Sequence, residues 1–227
     1  DGVGRSTHEK NIMKGKKKKI ITRQKALIMG AQMLSAVFNP LYLPIVGLMA
    51  LFAFSYLTLL PLLYKLQVLI LVYWFTVLMP MAIIRLYRHY QGWNLIELGH
   101  REKRAVPYVI SIACYFLCTY LMEQQHIPHF MRSILVSALA IQIACALINS
   151  WWKISTHTAA IGGVAGALFA FGEIFMFNPV GWLSLTILVA GALGTSRMIL
   201  RQHSLSQVLG GFAVGVVIAP CCILLLP

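Results

Sequence analysis

From residue 26 onward the chain is a series of long apolar runs separated by short polar interruptions. The runs at 41–58, 66–87, 107–122, 131–150, 157–175, 179–199 and 205–226 are each about 16–22 residues long, which suits a helix crossing a hydrocarbon core of roughly 30 Å. They lack the two-residue alternation of a half-buried strand, and in lipid a helix satisfies its backbone groups within one segment. Residues 26–38 are apolar but too short to span, and predict a helix lying in the membrane interface. Asn39-Pro40 ends it, because proline cannot continue a helix and restricts the residue before it. The pattern therefore predicts an all-α polytopic transmembrane helix bundle of about seven spans plus an N-terminal interfacial helix. A basic tail, 1–25, precedes a single transmembrane domain, 26–227. Small residues gather in the last three spans (Gly162, Gly163, Gly166, Gly191, Gly210, Gly211 and Gly215), so these helices are expected to pack closely as the core.

Composition excludes a soluble globule. Hydrophobic residues make up 59% of the chain and charged residues 11%, against roughly 25% charged in a soluble domain. The net charge of +13 would fit a nucleic-acid binder, but nine of the nineteen Lys and Arg lie before residue 26, densest at Lys14 and Lys16 to Lys19. That cluster has no aromatics between its charges, so it predicts no nucleic-acid partner and an attraction to anionic lipids at the membrane surface. Seven spans would put the tail, loop 88–106, segment 151–156 and segment 200–204 on one side, which with Arg85 and Arg197 at the adjoining span ends carries seventeen Lys and Arg, leaving Lys65 and Arg132 on the other. The positive-inside rule makes the rich side cytoplasmic. The five cysteines all lie in apolar runs without zinc-ligand spacing and read as small buried hydrophobes.

Chemistry-bearing residues are scarce within the spans. Glu173 is the one carboxylate expected deep in a span, thin support for a proton-coupled transporter. Polar residues gather instead at three places on the basic side. Lys153-Ile154-Ser155-Thr156-His157 leads into the fifth span. Ser196-Arg197 closes the sixth, with His203 and Gln207 opening the seventh. Loop 88–106 carries Glu97, Arg101, Lys103 and Arg104. A helix N-terminus offers unsatisfied N–H groups and the positive end of its dipole to an anion, which favours phosphate at Ser155 to His157. Arg197 can hold two phosphate oxygens at once, and histidine suits nucleophilic or proton-transfer work near neutral pH. Ser204 and Gln207 also have capping-box spacing, and Ser155 or Thr156 can cap the fifth span. With Asp1 the only Asp and Glu9, Glu97, Glu102, Glu123 and Glu173 scattered, no oxygen-rich metal site is expected.

These residues resemble the type 2 phosphatidic acid phosphatase superfamily, whose three stretches read K-x6-R-P, P-S-G-H and S-R-x5-H-x3-D. Ser196-Arg197, five residues and His203 match the third, and Ser155-Thr156-His157 part of the second, in the right order. The likeness covers residues 85–226. Ile154 and Thr156 depart from the second stretch, and Arg101, Arg104 and Pro107 are only the nearest equivalent of the first. Gln207 stands where the family has an acid. The resemblance implies a metal- and cofactor-independent lipid phosphatase acting on a membrane lipid phosphomonoester or pyrophosphate. In it His203 would attack phosphorus to give a phosphohistidine, oriented by Gln207, and His157 would protonate the leaving alkoxide. Arg197 would stabilise the phosphoryl oxygens, with Lys153, Ser155, Thr156, Ser196, Arg101 and Arg104 as further phosphate-binding candidates. It also implies a bacterial inner membrane, where family members face the periplasm, whereas the charge count puts this site in the cytoplasm. Two other readings are a weak or inactive member that binds lipid phosphates, which the Gln207 departure favours, and a small transporter or assembly subunit using Glu173.

Overall fold

The computed structural model describes residues 24–54, 56–91 and 101–225. All the regular structure in them is helical. Helix α1 covers 24–37, and α2 covers Leu43–Phe54, followed by a 3-10 turn, Tyr56–Leu59. Helix α3, Leu62–Tyr73, runs through a π turn, Trp74–Leu78, into α4, Met79–Gln91. The rest are α5 Arg101–Gln124, α6 His129–Trp151, α7 Thr156–Phe175, α8 Val180–Ile199 and α9 Leu205–Leu225. The Lys cluster of the tail and residues 92–100 of loop 88–106 lie outside the described residues.

Among the described residues, six helical stretches are long and apolar enough to cross a membrane: Leu62–Tyr90, Val106–Gln124, His129–Trp151, Thr156–Phe175, Val180–Ile199 and Leu205–Leu225. The chain is an integral membrane protein. The first expected span, 41–58, is the exception, with an α-helix of only 12 residues. Asn39 Oδ1 accepts the Leu41 N–H at 3.1 Å in a local turn, and Pro40 keeps the chain non-helical until Leu43. The helix then tightens to 3-10 before Pro61 caps α3. Even so, this stretch runs the depth of the bundle. Phe38 packs with Ile161 and Leu193 near one end, while Leu51, Phe52 and Leu57 join Met122, Ile127 and Met131 at the other.

Two prolines are absorbed into helices: Pro80, inside the expected span 66–87, and Pro107, expected at the start of a span. Pro80 cannot donate to the Thr76 carbonyl, and the widened turn over Trp74–Leu78 takes up the mismatch just before it. Pro107 lies inside α5, so that helix begins at Arg101 rather than at 107. Glu173 is likewise corrected. It is exposed in the last turn of α7, and not deep in the bundle.

The tightest contact joins α7 and α9. A Cβ on Gly215 would strike the backbone of Ala159, Gly162 and Gly163, and one on Gly162 would strike the backbone of Phe212. Gly166 meets Pro220 and Val216 in the same way. These residues let two backbones touch where any side chain would hold them apart. Gly191 differs: nothing lies within 4 Å of its would-be Cβ, so α8 does not share the close approach there. Gly215→Leu is expected to destabilise the protein by about 3 kcal/mol or more, because the obstructing atoms are backbone and cannot rotate away. Gly191→Leu should be near neutral. Thermal unfolding in detergent compares them, and equal midpoints would mean α7 and α9 do not meet at Gly215.

Candidate active site

The starts of α7 and α9 and the end of α8 meet at one end of the bundle, and each is built by local hydrogen bonding. Ser155 is the N-cap of α7, with extended backbone (φ −88°, ψ 106°). It is fully buried. Its Oγ accepts a long hydrogen bond from Thr158 N–H (3.5 Å), and Thr158 Oγ1 donates to its carbonyl (3.0 Å). Ser155 N–H donates to the Gln207 carbonyl at 3.3 Å, tying the start of α7 to the first turn of α9. Gly211 permits this, since a Cβ there would sit 2.5 Å from the Ser155 carbonyl and from Thr158 Oγ1. Ile154, where the resembled family has proline, is buried and packs with Ile141, Cys145 and Ala159.

Helix α8 ends in a Schellman motif. Gln202 N–H donates to the Arg197 carbonyl (3.1 Å) and Arg201 N–H to that of Met198 (2.9 Å), with Arg201 left-handed at φ 52°. The motif turns the chain back within the five residues that separate Arg197 from His203. The turn leaves Arg197 and His203 both within electrostatic reach of His157.

At the start of α9, Gln207 Oε1 accepts the Ser204 N–H at 3.2 Å and faces His203 Nδ1 at 3.2 Å. The first contact fixes the second. A backbone N–H only donates, so the atom facing it is the amide oxygen, and Nδ1 must then carry the proton. The neutral imidazole keeps its lone pair on Nε2. Gln207 thus closes half of a capping box and sets the tautomer of His203 with one oxygen.

His157, in the first turn of α7, lies within electrostatic reach of Arg197 and His203, with the Ser35 backbone of α1 against its ring. Its Nδ1 and Arg197 Nε are both buried with no hydrogen-bond partner. Unsatisfied buried polar atoms are costly and rare. Here two such atoms belong to side chains within electrostatic reach of each other, at the end of the bundle where α7, α8 and α9 meet.

The other expected residues are placed as follows. Thr156 is half-buried at the head of α7, where it lines an apolar cavity. Lys153 is exposed at the rim. Ser196 is buried, with its hydroxyl proton given to the Ala192 carbonyl at 2.9 Å within α8. The side chains of Arg101 and Arg104 lie outside the described residues, at the start of α5. Sequence reasoning missed Ser35, because nothing in a short interfacial helix marks it as a neighbour of His157. Among the described residues, no three His, Cys, Asp or Glu side chains converge as metal ligands would.

Residues 142–227 match the sequence model of the PAP2 superfamily, a segment that contains all of the converging residues except Ser35. Comparison with curated proteins and with solved structures gives no match.

Proposed function

We propose that this chain, whose residues 142–227 match the PAP2 superfamily model, is a member of that superfamily and an integral membrane phosphatase that removes a phosphoryl group from a lipid phosphomonoester or pyrophosphate by way of a phosphohistidine. The observation that carries this reading is the tautomer of His203, held by Gln207 and Ser204 beside His157 and Arg197.

In the first step His203 Nε2 attacks phosphorus, an N–P bond forms, and the P–O bond to the lipid breaks. A protonated His157 gives its proton to the departing alkoxide. In the second step His157, now neutral, takes a proton from water. The oxygen of that water attacks phosphorus, the N–P bond breaks, and phosphate leaves. Arg197 and the unsatisfied N–H groups in the first turn of α7 hold the non-bridging oxygens as charge builds on them. None of these steps requires a metal. Ser155 acts by positioning, through its cap and its link to Gln207. Lys153 at the rim attracts the anionic head group, and the positive-charge excess favours the cytoplasmic face for the site.

The test is to incubate the protein with radiolabelled lipid phosphates in detergent with EDTA, quench rapidly, and assay the protein for label. Acid-labile, alkali-stable label on the parent protein, together with released phosphate, is the expected result. No label and no release from any lipid, with binding of lipid phosphates retained, would favour the reading that Gln207 motivates: a protein that binds lipid phosphates without hydrolysing them.

A further inference from the structure

A cavity of about 390 Å³ runs between α2, α6, α7 and α8. Its wall follows α7 from Thr156, the residue between Ser155 and His157, to Phe175 at the other end. At 1.5 Å per residue that is roughly 28 Å, close to the thickness of one hydrocarbon core. The wall is almost wholly apolar. Its polar exceptions are Thr156 at the head, Gln142, and Ser137 and Thr186. The last two donate their hydroxyl protons to carbonyls of their own helices, Ser133 (2.6 Å) and Trp182 (2.8 Å). The opposing wall comes from residues 38–51, N-terminal to the segment that carries the superfamily match.

We propose that this cavity seats the single long apolar chain, prenyl or acyl, of a lipid phosphate whose head group lies at His157, Arg197 and His203. Three observations converge on that occupant. The cavity starts within one helical turn of the candidate site, at Thr156 and at Ala160 and Ile161, which lie three and four residues on from His157 on its face of α7, so a chain attached to a phosphate bound there reaches it within about one turn. Its length matches a chain lying along the membrane normal. A volume of this size spread over that length is narrow, which fits one chain rather than the two of a diacyl lipid. The inference rests on the proposed function only for the position of the head group.

Photolabelling and kinetics on the full-length protein test it together. The probe is a long-chain alkyl phosphate carrying a diazirine near the end of its chain. Crosslinks are expected on α2 and α7, and are expected to fall at least tenfold in Ala167→Phe and Gly47→Leu, which fill the cavity from opposite walls. In the same variants, kcat/KM for the long-chain phosphate divided by that for phenyl phosphate should fall at least tenfold. An unchanged ratio in both variants, or crosslinks confined to other helices, would overturn the proposal. So would diacyl phosphatidic acid displacing the probe as effectively as an unlabelled single-chain phosphate. Crosslinks at the expected helices with no turnover of any phosphate would sink the phosphatase reading and leave the chain-binding cavity standing.

Discussion

His203→Ala is expected to lower lipid-phosphate release by at least about 10³-fold, the scale of loss when a covalent nucleophile is removed and only binding and charge stabilisation remain. The fold should tolerate the change, because His203 lies in the α8–α9 connection and is only half-buried. The Ser204 N–H keeps its partner on Gln207 in the variant, so the start of α9 stays capped. Initial rates of phosphate release in detergent, with and without EDTA, give the measurement, and matched thermal unfolding shows that the variant is folded. Loss of activity in a folded variant assigns the nucleophile. Retention of more than about a tenth of the activity would remove His203 from that role and point to direct attack by water, with His157 as the base.

Much of this architecture was legible because lipid is a demanding solvent. Apolar runs of bilayer length have to be helices, and five of the seven expected spans begin and end within a few residues of α6 to α9 and of the α3–α4 stretch. What was not legible depended on local hydrogen bonding rather than hydropathy. Pro107 reads as a helix boundary by propensity, yet α5 carries it inside. The turn at Pro80 needed a π widening that no composition rule announces. The Schellman motif between Arg197 and His203 has Arg201 at its left-handed position, where the usual signal is glycine. Met176 and His126 end α7 and α5 with the same left-handed geometry and the same missing signal.

The candidate site divides along similar lines. The histidines and Arg197 stood out through residue type and spacing. Gln207 stood out as a departure from a family pattern, with a helix-capping role and an orienting role both open, and its side-chain oxygen is placed to serve both. Ser155 and Ser196 stand in the resembled family's stretches as phosphate-binding candidates, and α7 and α8 use both hydroxyls internally. A hydroxyl at a helix end is claimed by the backbone as readily as by a ligand, and sequence alone cannot tell which.

Gln207 therefore carries the second large prediction. Gln207→Leu should lower the rate by roughly 10²–10⁴-fold, the loss expected when the group fixing a catalytic histidine's tautomer is removed. It should also cost about 1 kcal/mol of stability, because the Ser204 N–H loses its side-chain partner. Gln207→Glu separates geometry from charge. A carboxylate oxygen accepts from both Ser204 N–H and His203 Nδ1–H, so tautomer and cap survive. The added negative charge favours the positive imidazole that develops as Nε2 bonds to phosphorus. The expected order of rates is glutamate above the parent by several-fold, and leucine far below both. Steady-state kcat on one lipid phosphate, with all three proteins at equal folded concentration, measures it. If glutamate fell as far as leucine, the amide NH₂ of Gln207 would be its working group, and orientation of His203 would have to come from elsewhere in the site. The predicted order would instead explain how a chain without the family's acid keeps a histidine ready to attack: one amide oxygen, fixed by the backbone of Ser204, holds the ring in the reactive tautomer and leaves only the charge term unrealised.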